Sequence, residues 1–134
     1  MPRAPRIEYP GAIYHVMARG NRREPIVFSD EDRELFVKTL SEAAKRSGWE
    51  IFAWVLMDNH YHLVLRTPKP NLVLGMQWFQ NAYTRRLNAR HQLWGHLFGG
   101  RYKSILVEGE NKGSRVWSDY LRTVIDYVHL NPAR

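Results

Sequence analysis

The sequence predicts an α+β fold: a ferredoxin-like split β-α-β antiparallel sheet with helices on one face and an added C-terminal helix carrying a tyrosine. Three observations lead there. Hydrophobic periodicity switches between 2 and 3.6 residues in the order β-α-β-β-α-β, then turns helical once more near the end. Only Asp58-Asn59 separates the two middle strands, and both residues tolerate positive φ, so the strands form a hairpin. The 134 residues, 44% hydrophobic, suit a single domain over 1–134 with one core.

Residues 1–10 hold Pro2, Pro5 and Pro10 with Arg3 and Arg6, an extended basic lead-in. Ala12 to Ala18 reads as the first strand. Arg19-Gly20-Asn21-Arg22-Arg23 stops it with a turn whose glycine allows close backbone approach and whose arginines suit phosphates. Ser29 is a candidate N-cap for a helix, with Asp30, Glu31 and Asp32 in its first turn, where the macrodipole favours acids. Phe36, Leu40, Ala43 and Ala44 make its apolar stripe, and Ser47-Gly48 ends it. Glu50 to Met57 and His60 to Arg66 are the hairpin strands; the two-residue turn sets Met57 opposite His60 and Val55 opposite His62.

Asn71 to Arg90 is a second helix with Leu72, Met76, Phe79, Tyr83 and Leu87 on one face. Leu93 to Gly100 is an aromatic, glycine-rich loop, Arg101 to Val107 a fourth strand and Gly109 to Ser114 a polar loop. Arg115 to Leu130 is the third helix, with Val116, Tyr120, Val124 and Tyr127 on one stripe, stopped by Pro132.

Charge narrows the function. Twenty basic against thirteen acidic residues give a formal net charge of +7. Six of the acids lie between residues 30 and 50, whereas eleven Lys/Arg face five Asp/Glu from Ile51 onward. A polyanion partner follows: nucleic acid first, an anionic membrane surface second. There is no cysteine, which excludes a disulfide scaffold and a thiolate zinc site and suits the cytoplasm. No apolar run approaches the ~20 residues of a membrane span.

The chemistry concentrates in Met57-Asp58-Asn59-His60-Tyr61-His62-Leu63-Val64-Leu65. Along a strand His60 and His62 point one way, roughly 6–7 Å apart at Cα, while Tyr61, Leu63 and Leu65 point the other. Two such imidazoles can converge on one metal ion, though alone the pattern also fits a strand face that happens to carry histidines. On the last helix Tyr127 and Asn131 are one turn apart on one face. If that helix crosses the histidine face, two imidazoles, an amide oxygen and a phenol meet. Mixed N/O ligands suit a divalent cation such as Mg²⁺ or Mn²⁺, and a tyrosine can attack a polarised phosphodiester.

The combination of the His60/His62 strand with Tyr127-Val128-His129-Leu130-Asn131-Pro132 resembles the single-tyrosine HUH transposases, and within them the REP-associated branch. Gly11-Ala12-Ile13-Tyr14-His15-Val16, Arg19-Gly20-Asn21-Arg22 and Gly100-Arg101-Tyr102-Lys103-Ser104 are similar too, so the resemblance covers essentially the whole chain. It implies that His60 and His62 bind the metal, with Asn131 as third ligand, and that Tyr127 is the nucleophile. It implies cleavage and rejoining of single-stranded DNA beside palindromic hairpins through a 5′-phosphotyrosine link. Arg19, Arg22, Arg23, Arg85, Arg86, Arg101 and Lys103 are the candidates for DNA backbone contacts, and Trp78, Trp94 and Phe98 for base stacking. The expected partner is single-stranded or hairpin DNA, with no membrane, acting as a monomer or homodimer. Two rival readings share the fold and charge: a non-catalytic nucleic-acid-binding module, and a metal-dependent hydrolase that uses water as nucleophile.

Overall fold

The computed structural model describes residues 8–108. Strand β1 spans Ala12–Arg19, helix α1 Asp30–Ser47, β2 Glu50–Leu56, β3 His60–Thr67, α2 Leu72–His91 and β4 Lys103–Glu108. The expected order β-α-β-β-α-β is present. The sheet runs β2-β3-β1-β4, every neighbouring pair antiparallel. The loop expected over 109–114 and the third helix, with Tyr127 and Asn131, lie outside the described residues, as does most of the basic lead-in.

Local chemistry explains the boundaries. Ser29 caps α1, its hydroxyl accepting from the Asp32 N–H, and Gly48 closes the helix with φ 75°, the left-handed conformation glycine adopts without strain. The hairpin has the expected register: Val55 lies opposite His62, and the Met57 N–H donates to the His60 carbonyl at 2.8 Å. Arg33 clamps this turn from α1, reaching the Leu56 carbonyl at 2.9 Å and Asp58 Oδ1 at 3.0 Å.

Alternation on the strands divides the sheet into two faces. Tyr14 and Val16 of β1 with Tyr61, Leu63 and Leu65 of β3 turn toward the helices. There they meet Phe36 and Leu40 of α1 and the fully buried stripe Leu72, Met76, Phe79, Tyr83 and Leu87 of α2. Phe36 sits at the middle, 5.3 Å from each of the rings of Tyr61, Phe79 and Tyr83, edge-on to the last two. The opposite face carries a smaller apolar cluster of Ile13, Ala53, Val55, Val64 and Val107. His15, Arg19, His60 and His62 belong to that face.

Asp32 does more than fill the first turn of α1. Its carboxylate is completely covered (0% exposed) and accepts from the Phe28 N–H at 2.8 Å, Arg90 Nε at 2.8 Å and His91 Nε2 at 2.7 Å. Burial pushes the carboxyl up; the Phe28 N–H, His91 and Arg90 outweigh it and hold the group below the usual carboxylate range. The network ties the start of α1 to the end of α2. Among the described residues, no helix is long and apolar enough to cross a membrane.

Candidate active site

The pairing of β1 with β3 builds the site. Arg19 lies opposite His60 and Met17 opposite His62, and β4 brings Lys103 opposite Met17. Beyond β1, Gly20 donates its N–H to the Asn59 carbonyl at 2.9 Å, and Gly99 donates to the Arg19 carbonyl at 3.0 Å. The result is a cleft of about 370 Å³ lined by Met17, Ala18, Arg19, His60, His62, Gly99, Arg101 and Lys103. Five of the expected site residues, His60, His62, Arg19, Arg101 and Lys103, therefore share one concavity.

The hydrogen bonds determine the form of His60. Asn59 Nδ2 donates to the Arg23 carbonyl at 3.2 Å, so the Asn59 oxygen is the atom that faces His60 Nδ1 at 2.8 Å. A carboxamide oxygen only accepts, so His60 carries its proton on Nδ1, and Nε2 is the nitrogen with a lone pair to offer. That is the arrangement in which a metal-binding histidine is held by a carbonyl behind it. Nitrogen ligands on one ion place imidazole centroids roughly 5 Å apart. The His60 and His62 centroids are 5.2 Å apart with the rings at 84°, so this donor pair fits a divalent ion. No set of three or more His, Cys, Asp or Glu side chains suited to a metal occurs among the described residues.

Electrostatics keep the imidazoles neutral. Burial, then the neighbouring His15, His60 and Arg19, pushes His62 down to about 4. Burial and Arg19 lower His60, and burial lowers His15. The unfolded chain binds the His62 proton near its ordinary 6.5, the folded one only near 4. The contribution of neutral His62 to stability is thus fully present well above pH 6.5 and is lost as the pH falls through 6.5 toward 4. For His62 alone we expect a loss of about 2 kcal/mol between pH 7.5 and 5.0. Urea midpoints at the two pH values check this, and His62→Gln should narrow the gap.

The remaining expected residues distribute differently. Arg22 and Arg23 are exposed on a single 3-10 turn over Asn21–Arg23, both with positive φ (57° and 61°), just beyond the cleft. Arg85 and Arg86 lie on α2, across the sheet from the histidines. Arg86 is held by Glu42 at 2.8 Å and Thr39 at 3.0 Å. Of the three aromatic candidates, Phe98 is buried and Trp78 lies under the Arg46 guanidinium at 4.5 Å, whereas Trp94 is 91% exposed. A groove of about 500 Å³ beside Trp78, lined by Arg46, Asn71 and Leu74, gathers no titratable pair. Sequence reasoning did not single out His15, whose Nε2 is 3.1 Å from His62 Nδ1. Its alternation with Met17 and Arg19 on β1 was the available signal.

Comparison with known proteins agrees with this architecture. No curated protein sequence matches the chain significantly. A solved structure described as a REP-associated tyrosine transposase bound to a REP hairpin superposes with a TM-score of 0.76 at 17% identity, covering 98% of this chain and 73% of that one. A putative transposase from Deinococcus radiodurans gives 0.58 at 18% identity, covering 98% of this chain and all of the other. At such identities the likeness concerns the fold alone. The family described as "Transposase IS200 like" matches residues 8–129. Since that match takes in the whole sheet, the cleft and the segment bearing Tyr127, the chain belongs to the IS200-like transposase family.

Proposed function

We propose that this chain cleaves and rejoins single-stranded DNA beside hairpins through a 5′-phosphotyrosine link to Tyr127. The observation that carries the reading is the single cleft shared by His60, His62, Arg19, Arg101 and Lys103. Two neutral imidazoles there suit a metal, and three cations beside them suit a phosphodiester. We assign the metal to His60, His62 and Asn131. A divalent ion such as Mg²⁺ or Mn²⁺ held there supplies Lewis acidity to the scissile phosphate.

The protein's own groups account for the rest. Arg19, Arg101 and Lys103 hold the DNA backbone in the cleft, with Arg22 and Arg23 extending the basic track. The Tyr127 oxygen attacks phosphorus, the P–O3′ bond breaks, and the phenolic proton is balanced by the proton gained on the released 3′-hydroxyl. Attack by a 3′-hydroxyl on the phosphotyrosine reverses the step and rejoins the strand. Trp94, exposed on the loop that joins α2 to the cleft, is the aromatic best placed to stack on an unpaired base. The hairpin bound by the REP-associated relative supports the choice of DNA structure.

The test is a 3′-labelled library of hairpin oligonucleotides with randomised single-stranded flanks, incubated with the protein and Mn²⁺ and run on a denaturing gel. We expect label to migrate with the protein, and EDTA to prevent it. Cleavage without an adduct would mean that water is the nucleophile. Binding without cleavage would mean a non-catalytic module.

A further inference from the structure

We propose that His15 is a positioning residue for His62: its Nε2 accepts the His62 Nδ1 proton and so commits His62 Nε2 to the cleft. This rests on the metal-site reading above.

The two nitrogens are 3.1 Å apart, and both residues are only 8% exposed, so water does not compete for the bond. A neutral imidazole has one donor and one acceptor nitrogen, and the hydrogen bond made by one of them sets which form is present. His60 has the oxygen of Asn59 behind it to decide the matter. His62 faces another imidazole at its Nδ1, that of His15. That pair has two internally consistent arrangements, with the shared proton on either residue. Only the one with the proton on His62 lets both strand histidines use the same nitrogen, Nε2, from one side. Rings tilted by 33° with centroids 5.2 Å apart leave the two nitrogens facing each other. His15 itself does not line the cleft, whereas His62 does. Its place on the central strand β1, opposite Val64 and flanked by β4, gives it little freedom to move.

The consequence is a pair of supporting acceptors from different parts of the chain, Asn59 from the hairpin turn and His15 from β1. Outer partners of this kind change metal affinity by about 10–100-fold when removed. We therefore expect His15→Phe, which keeps a ring in the same space and removes the acceptor, to weaken Mn²⁺ binding by that factor in calorimetric titration. His15→Gln, whose carboxamide oxygen can occupy the Nε2 position, should bind within about threefold of the unaltered protein.

Nitrogen-15 NMR of the imidazoles in the metal-free protein gives the second readout, one that a purely structural role would not move. His62 should carry its proton on Nδ1 in the unaltered protein and in His15→Gln, and shift toward the Nε2-protonated form in His15→Phe. The proposal is overturned if His62 is protonated on Nε2 in the unaltered protein. It is also overturned if His15→Phe leaves Mn²⁺ affinity unchanged while His60→Ala abolishes it, an outcome that keeps the metal-site reading. If His15→Phe abolishes binding and His60→Ala does not, His15 is a ligand and both assignments fail. Failure of the unaltered protein to bind Mn²⁺ removes the metal-site reading and this inference together. Should His15→Phe not fold, the tautomer in the unaltered protein decides the question.

Discussion

Tyr127→Phe should eliminate the covalent protein–DNA adduct, by on the order of 10³-fold or more, as loss of a covalent nucleophile does. Hairpin binding should stay within about twofold in competition assays, because phenylalanine keeps the ring and removes only the hydroxyl. The chain has seven tyrosines, and the sheet disqualifies five. Tyr14, Tyr61, Tyr83 and Tyr102 are buried in the layer between sheet and helices, on the side away from the histidines, and Tyr9 packs against that layer. Burial, then Glu8, pushes Tyr14 up to about 12. Burial also raises Tyr61, whose oxygen accepts from Gln80, and Tyr83, whose hydroxyl donates to the Ile26 carbonyl. Tyr120 and Tyr127 remain. Tyr120 precedes Tyr127 by two turns of the expected helix, roughly 10 Å, so one site does not serve both. Asn131 follows Tyr127 by four positions, one turn of that expected helix. Tyr120→Phe should therefore keep the adduct; loss of adduct in that variant and retention in Tyr127→Phe would reverse the assignment.

Gly20→Ala should be the most damaging single-atom change near the cleft, costing about 3 kcal/mol in urea unfolding. Backbone torsion is not the reason. Gly20 has φ −63° and ψ 151°, which alanine adopts freely. Space is the reason: an added methyl would stand 2.0 Å from the Glu24 carbonyl oxygen and 3.1 Å from Ile26 Cγ2. The oxygen belongs to the backbone of a turn already holding two non-glycine residues at positive φ, so it has little room to yield. Displacing it also pulls on the bond from Gly20 to Asn59, whose side chain orients His60. Weakened Mn²⁺ binding should accompany the loss of stability. Gly99→Ala should cost less: its nearest neighbour, Asn21 Cα of the same turn, is 3.1 Å away, so the backbone has to give by only a few tenths of an ångström. A cost at Gly99 equal to or above that at Gly20 would contradict the steric account.

The framework was legible because its signals are local. Ser29 and Gly48 mark α1 by capping chemistry alone. The Asp58-Asn59 turn sets the register of β2 and β3, and alternation then assigns His60 and His62 to one face. The stripe from Leu72 to Leu87 is buried at every position named from periodicity. What stayed hidden depends on pairings distant in sequence. His15 reaches His62 across 47 positions only because β1 lies beside β3. Asp32 looks like an ordinary first-turn acid until α2 delivers Arg90 and His91 to it. Likewise Arg85 and Arg86 read as part of a basic run, and nothing local says that Glu42 and Thr39 engage Arg86.

The division of β3 between its two faces has a consequence for how such a protein decays. The residues that hold the domain together, Tyr61, Leu63 and Leu65, interleave with those that face the cleft, His60 and His62, and the two sets lie on opposite faces of the sheet. Point substitutions can therefore erase the histidines while the chain remains soluble, folded and abundant. An inserted or deleted residue within the strand has no such leniency, because it exchanges the two faces and ruins both at once. A lineage released from selection for catalysis should accordingly accumulate replacements at positions 60 and 62 long before it tolerates a change in strand length. The spacing of this strand answers to folding, and the identity of the residues at positions 60 and 62 answers separately to use.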